Sequence, residues 1–439
     1  MSNAGSKPKI RVAIIGAGPA GLGAAIEFQK LPFVDLRIYE QARELREVGA
    51  GISIQRNTWR MLDALGVYDN IDPSTIFSAA DGHSVQHRLV DLFLANGRTG
   101  ELLQSSGQHD TPPRHKHARA LRTVLQQALL KAVDKTNLRL SSRLVEIREL
   151  PNKTLSLRFE DEHTDEVDLL IGADGVRSVV RQFSFPDHRI SYTGTTAFRA
   201  LVNADDILSI PNFPDAVTFW HGPTRWVYTC NLNRGIYEVT ARTDLPETSE
   251  TVSWGQDASP DEFIGLYKEF APIIQEVLSK IGEVKKFPLF AGPRLSKVIS
   301  HGSIALIGDA SHPLSGAFGA GAGFALEDVY VLARAVQWAH ERDFPLSDAL
   351  ILYDRVRSPH YKDMYDILDG FRRADTSIKG LNSFDEIVMA NIQSKWTDDH
   401  HWLYHYDVQE VWRKAYAEED ARRVGETNDT KDVDVYSRL

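Results

Sequence analysis

The sequence predicts an α/β chain. A parallel-sheet domain is entered through a β-α-β unit, an α+β domain carrying an antiparallel sheet is inserted into it, and a helical region closes the chain. Three observations predict this. A glycine-rich turn joins an apolar strand to a helix within residues 12–30. Two later apolar strands end in Gly/Asp turns, at 168–178 and at 304–313. Between those turns, short apolar or alternating runs are separated by Gly and Pro, the pattern of consecutive strands.

Taken in order, Val12-Ala13-Ile14-Ile15 is a short buried strand and Ala20 to Lys30 a helix behind it. Leu36 to Glu40 is a second strand, and a β-α-β opening implies parallel pairing. Leu121, Val124, Leu125, Ala128 and Leu129 fall at helical spacing within 121–133. Leu144 to Ile147, Leu155 to Phe159 and Val167 to Ile171 read as strands. Phe198 to Val202, Val217 to Trp220, Trp226 to Leu232 and Ile236 to Arg242 form the strand-rich insertion. Ser303 to Ile307 returns to the first sheet and leads into a long helix, Ala322 to Ala339. Residues 347–415 are helical, and the polar stretch from Glu418 reads as loose. The resulting boundaries are 8–180 and 291–380 for the two parts of the first domain. The insertion spans 181–290, and 381–439 forms the helical C-terminal region.

Composition narrows the function classes. Of 439 residues, 50 are Lys or Arg and 60 are Asp or Glu, a net charge of −10. That excludes a phosphate-coating nucleic-acid binder, which needs clustered positive charge. The single cysteine, Cys230, cannot form an internal disulfide. The apolar run Val12 to Ile26 imitates an export signal, but its four glycines and one proline break such a helix. No other segment is long enough to span a bilayer, so no membrane partner is expected.

The turn Gly16-Ala17-Gly18-Pro19-Ala20-Gly21 follows a strand and opens a helix. Gly16 permits the tight turn, Gly18 lets backbone approach a pyrophosphate, and Gly21 lets helix and strand pack closely. Amides at the helix N-terminus then hold phosphates. Glu40, at the end of the second strand, is placed to accept hydrogen bonds from an adenosine ribose. This is a Rossmann-like dinucleotide site, and by itself it does not separate NAD from FAD.

The two later turns do. Gly172-Ala173-Asp174-Gly175-Val176-Arg177-Ser178 and Gly308-Asp309-Ala310-Ser311-His312-Pro313, followed by Gly319-Ala320-Gly321-Ala322-Gly323, complete a set. With Val48-Gly49-Ala50-Gly51-Ile52, Asn57, Ala197-Phe198-Arg199 and His401-Trp402-Leu403-Tyr404, the chain resembles the single-component FAD-dependent aromatic monooxygenases. The resemblance is to the salicylate hydroxylase-like branch of the para-hydroxybenzoate hydroxylase group, over residues 10 to 410.

That resemblance implies an FAD held by Gly16, Gly18, Ala20, Gly21, Glu40, Gly51, Arg122, Asp174, Asp309, Gly321, Ala322 and Gly323. Asp309 would bind the ribityl chain, and the amides near Gly321 to Gly323 would face the pyrimidine edge of the flavin. Arg122 matches the arginine that reaches the FAD phosphates, with Arg119 as runner-up; a solvated helix arginine is the plain alternative. Arg199 would present a cation to a substrate carboxylate or phenolate, or else form a structural salt bridge. Tyr228 is the second candidate catalytic group. Trp220, His221, Arg225 and Trp226 are further wall candidates, of which half should point away.

The implied reaction is hydroxylation of a phenolic or aromatic acid with NADH or NADPH and dioxygen, through a flavin hydroperoxide. Rivals are dearomatising or epoxidising oxygenation in secondary metabolism, a plain NAD-dependent dehydrogenase, and a non-enzymatic flavoprotein redox sensor. Gly316-Ala317 and Cys230-Asn231 depart from the residues relatives carry on the flavin–substrate face, which bears on the substrate. His115-Lys116-His117 and His401/His405 read as packing or solvated histidines, so no metal is expected. The chain is expected to be a monomer or homodimer, cytoplasmic or peroxisomal, the latter because Ser437-Arg438-Leu439 resembles a Ser-Lys-Leu address.

Overall fold

The computed structural model describes residues 8–45, 51–78, 84–85, 88–89, 92–106, 111–248, 255–314, 319–396 and 402–436. In chain order, β1 (Ile10–Ile15), α1 (Pro19–Phe28) and β2 (Val34–Tyr39) form the opening unit. They are followed by β3 (Gly51–Ile54), α2 (Arg56–Leu65), β4 (Ile76–Ser78), β5 (Leu92–Asn96) and β6 (Leu102–Ser106). Next come β7 (Ala118–Leu121), α3 (Arg122–Leu130), β8 (Leu138–Arg139), β9 (Leu144–Glu149) and β10 (Leu155–Phe159). β11 (Thr164–Val167), β12 (Leu169–Gly172) and α4 (Val179–Ser184) lead to the long strand β13 (Ser191–Asn203) and α5 (Ala204–Leu208). β14 (Val217–His221), β15 (Arg225–Asn231), β16 (Ile236–Asp244) and β17 (Gln256–Ala258) precede α6 (Pro260–Gly265), α7 (Pro272–Ser279) and β18 (Val284–Ala291). β19 (Ile299–Ser300), β20 (Ile304–Leu306), α8 (Gly321–Glu341), α9 (Leu346–Ile378), α10 (Phe384–Lys395), α11 (Trp402–His405) and α12 (Val408–Tyr436) complete the chain.

The first sheet has the order β8-β2-β1-β12-β20-β19. β1 pairs in parallel with both β2 and β12, and β12 with β20, while the edge pair β19–β20 is antiparallel. The two Gly/Asp turns and the glycine-rich turn therefore leave the same end of adjacent parallel strands, where ligands of open α/β sheets bind. α1 and α8 pack on this sheet, and its continuous apolar strands are buried (Ile14, Leu170, Ala305 at 0% exposure). That is the mark of a sheet covered on both faces.

The second sheet has the order β17-β18-β13-β16-β15-β14-β5-β6. It is antiparallel except for β5–β14, which pair in parallel. Residues 92–106, which the sequence reading left in the first domain, thus belong to this sheet. β5 and β6 pair with each other, but the partner that joins them to this sheet, β14, lies more than a hundred residues away, and no local pattern announces that pairing. One face packs on α5, α6 and α7 through Phe198, Ala200, Val227, Tyr237, Val239 and Ala241. The opposite face carries the residues that alternate with these.

The stretch from Glu418, read as loose, continues α12 through Tyr436. Glu419 is buried there and pairs with Arg355 of α9 and with Arg422 and Arg423 of its own helix, while Val408 and Trp412 nearer the start of α12 pack on the first domain's core. The predicted strand 167–171 is two strands, β11 and β12, which enter different sheets. No helix among the described residues is long and apolar enough to cross a membrane.

Candidate active site and cofactor cleft

Close approach joins the three glycine/aspartate turns. Gly16 has φ +103°, and a Cβ there would stand 2.4 Å from the Ala173 carbonyl oxygen, so the first turn abuts the second. A Cβ on Gly21 would fall 1.8 Å from the Gly16 carbonyl oxygen. Gly308, at φ +56°, lies between Ala20 of α1 and Ala325 of α8, with Cβ approaches of 3.1 and 3.2 Å. Arg181, buried on α4, donates to the carbonyl oxygens of Asp309 (3.2 Å), Ala310 (2.9 Å) and Val176, fastening the second turn to the third.

Gly18 differs from its neighbours: nothing lies within 4 Å of where its Cβ would be. It begins α1, which has Pro19 in its first turn and no side-chain cap. The first-turn amides therefore face open space with the positive end of the helix behind them. The Glu40 carboxylate accepts from the Ala17 amide (2.7 Å) and the Ala42 amide (2.8 Å), so it shapes this turn. Asp174 caps α4, accepting from Ser178 Oγ (2.5 Å) and the amides of Val179 (2.7 Å) and Val180 (3.2 Å). Burial raises its carboxyl above the usual range, against those hydrogen bonds.

Asp309 opens to the cleft and faces the start of α8; a Cβ on Gly321 would stand 3.9 Å from its Oδ1. Surrounding protein raises its carboxyl, and the cations of Arg122 and Arg181 oppose that. α8 also begins without a side-chain cap. Ala322 is partly buried there, and a Cβ on Gly323 would strike Asn57 Nδ2 at 2.5 Å, so α2 packs closely on that turn. Arg122 is the first residue of α3. A cation at a helix N-terminus opposes the macrodipole by about 0.3–1 kcal/mol. Such a placement is sensible where an anion is to be held.

The second sheet turns its other face toward this cleft. Arg199 on β13, Thr240 on β16, Tyr228 on β15 and Phe219 on β14 form one cross-strand row. Phe219 and Tyr228 meet edge to face at 4.8 Å. Trp396, just past α10, lies 5.0 Å from Phe219. Burial lowers the Arg199 guanidinium below its ordinary value; Arg122 and Arg119 add to that and Glu238 opposes it. Its Nε is buried with no hydrogen-bond partner among the described residues. Burial holds Tyr228 as a neutral phenol and pushes the Cys230 thiol up to about 12, which removes Cys230 as a nucleophile.

Of the wall candidates, His221 and Trp226 share the Tyr228 face. Trp220 is buried in the opposite core and Arg225 donates to the Leu266 carbonyl, so both point away, as strand alternation requires.

Arg119 does not reach toward the glycine turn. It is buried on β7 and pairs with Glu238 of β16, and it donates to Ser53 Oγ at 2.8 Å. Gly51 lies against that pair: its amide donates to Glu238 Oε1 at 3.0 Å, and a Cβ there would strike Glu238 and Arg119.

The sequence model of the family described as "FAD binding domain" matches residues 9–366. The chain belongs to that family. It is 28% identical over 361 residues to 3-amino-4-hydroxybenzoate 2-monooxygenase PtmB3 of Streptomyces platensis, covering 82% of this chain and 87% of that one. It is 26% identical to salicylate hydroxylase of Pseudomonas putida, covering 90% and 93%. Among solved structures it is similar to a salicylate hydroxylase substrate complex, with TM-score 0.74, 21% identity and coverage of 93% and 98%. Klebsiella pneumoniae HpxO complexed with FAD and uric acid has TM-score 0.68, 19% identity and coverage of 93% and 96%. The chain is an FAD-dependent monooxygenase, salicylate hydroxylase-like in sequence and fold.

The flavoprotein's residues fit its cofactor. The open space over Gly18 and the uncapped start of α1 suit a pyrophosphate. Sequence reasoning missed Glu238 and the clamp made by Arg181. The alternation of Glu238 with Tyr237, Val239 and Ala241 in β16 reads by itself as a solvent-facing position, so its burial is visible only in the fold. Val48, Gly49, Ala50, Gly316, Ala317, His401 and Ser437-Arg438-Leu439 lie outside the described residues.

Proposed function

We propose that this monooxygenase hydroxylates a phenolic or aromatic-acid substrate, consuming NADH or NADPH and dioxygen. The observation that carries the reading is Arg199, a cation on the aromatic face of the second sheet whose buried Nε has no hydrogen-bond partner among the described residues. A guanidinium remains charged when desolvated and binds carboxylate or phenolate in a fixed orientation. Its charge also keeps a phenol ionised and its ring electron-rich.

Bound FAD supplies the reducing and oxygen-activating chemistry. The chain supplies position and dryness. Gly16, Gly18, Ala20 and Gly21 shape the pyrophosphate seat, and Glu40 the ribose end. Asp309, with Gly321, Ala322 and Gly323, frames the flavin end, and Asp174 sets the neighbouring turn. Arg199 orients the substrate anion. Tyr228, a neutral phenol in the same row, would donate a hydrogen bond to the substrate. Phe219, Trp226 and Trp396 exclude water from the ring. The relatives' names, with aminohydroxybenzoate and salicylate among their substrates, support an aromatic acid.

A panel of hydroxy- and aminobenzoates, screened for stimulated NADH and NADPH oxidation with dioxygen uptake and product mass analysis, tests this. A product one oxygen heavier, or one oxygen heavier after loss of carbon dioxide, is the expected result. A panel in which neither oxidation nor ligand binding responds to any aromatic acid overturns it.

A further inference from the structure

Glu238 has no part in the reading above, yet it is the carboxylate buried among the guanidiniums that line the substrate face. It is 2% exposed. Its Oε1 accepts from the Gly51 amide (3.0 Å) and from Thr240 Oγ1 (3.2 Å), while Oε2 pairs with Arg119. On the sheet it stands opposite Leu201 and Cys230, and Thr240, two residues along, stands opposite Arg199 and Tyr228. Glu238 and Arg199 are therefore diagonal cross-strand neighbours on one face, a relation that places backbones about 7–8 Å apart. Among the described residues, the charges bearing on Arg199 are the cations of Arg119, Arg122 and Arg242 and the anion of Glu238.

We propose that Glu238 is a specificity-determining residue that limits the substrate pocket to a ligand with a single negative group, held at Arg199. The proposal rests on the Arg199 reading given above. The physical reason is local neutralisation. Glu238 converts Arg119 from a second anion receptor into half of an ion pair. Its own charge then repels any second carboxylate brought into the row beside Arg199. The arrangement selects by repulsion as well as by attraction. The carboxylate is held below the ordinary range: burial raises it, but Arg119 and Arg199 outweigh that, so the negative charge is present at neutral pH.

The test uses the FAD-loaded enzyme and two probes, benzoate as a monoanion and isophthalate as a dianion, with binding read from perturbation of the flavin absorbance at pH 8. The wild type is expected to favour benzoate. In E238Q the isophthalate-to-benzoate affinity ratio is expected to rise by about tenfold or more, the effect of one unit charge at that distance in a protein interior. E238D, which keeps the charge, is expected to retain the wild-type ratio. A merely structural role would weaken both probes together and leave the ratio unmoved, and an unmoved ratio in E238Q overturns the proposal.

Should E238Q fail to fold, the wild type answers the same question: isophthalate bound as tightly as benzoate, or more tightly, overturns the proposal. The two readings fail separately. Benzoate affinity unchanged in Arg199→Ala removes the anion-at-Arg199 reading. Benzoate affinity lost in Arg199→Ala, with an unmoved ratio in E238Q, removes only the role of Glu238.

Discussion

At the scale of single residues, the cleft separates holding the cofactor from holding the substrate, and the two are testable apart. Asp309 faces the start of α8 with its carboxylate open to the cleft. Its removal deletes a charged acceptor, a loss of about 1.5–3 kcal/mol. Asp309→Ala is therefore expected to weaken FAD binding roughly 10- to 100-fold, with far-UV circular dichroism unchanged. Flavin content equal to wild type after gel filtration would show that Asp309 is no ligand. Arg199 belongs to the other half. Arg199→Ala should cost substrate binding or turnover about 2–5 kcal/mol, the penalty for truncating one partner of a desolvated charge pair, while flavin content stays normal. An Arg199→Ala enzyme with wild-type kcat/KM would make Arg199 a structural cation.

At the scale of elements, the glycine-rich turn, β1, α1 and β2 were legible because each rests on local rules: a turn needing φ > 0, a helix start, an apolar run. Gly21 shows how tightly those rules bind. In Gly21→Ala the new Cβ would fall 1.8 Å from the Gly16 carbonyl oxygen, so α1 must move off β1. Overpacking of this kind costs about 1–3 kcal/mol. The expected result is a lower melting temperature together with lost FAD binding, and a variant that melts and binds like wild type would contradict the close packing. What the sequence hid was non-local. β5 and β6 fall within the bounds 8–180 of the first domain, because the pairing of β5 to β14 is decided by tertiary placement rather than by pattern. Local pattern does not separate Arg119 from Arg122 as a phosphate ligand, because the burial of Arg119 against Glu238 is a tertiary contact. The polar end of the chain looks loose because its ties to α9 are charged, Glu419 to Arg355 and Arg423 to Asp348, while the apolar contacts of α12, Val408 and Trp412 among them, lie before it.

At the scale of the whole molecule, buried neutral histidines set the response to acid. Burial holds His117 down at about 3, with Arg119 adding to it, and His221 at about 4, with Lys395 adding. Burial and Arg357 hold His360 at about 2. Each is less than 9% exposed. An unfolded histidine titrates near 6.5, so below that pH the unfolded chain binds protons that the folded chain refuses. Their contribution is full above pH ~6.5 and is lost as pH falls, at about 1.4 kcal/mol per pH unit for each group. Glu327 has the opposite sign: burial, against the pull of Arg357, raises it to about 7. The fold therefore gains from its protonation as pH falls from about 7 toward its unfolded value near 4.5, which offsets part of the histidine loss, to which His312, also held well down by burial, adds. With FAD held in fixed excess, because ligand binding shifts apparent stability, urea midpoints are expected to fall from pH 7.5 to 5.5. His221→Gln removes one of the refused protons, so its midpoint should fall less steeply over the same interval. Midpoints that stay flat, or a His221→Gln slope equal to wild type, would mean that these histidines take up protons in the folded state and that their pockets admit water.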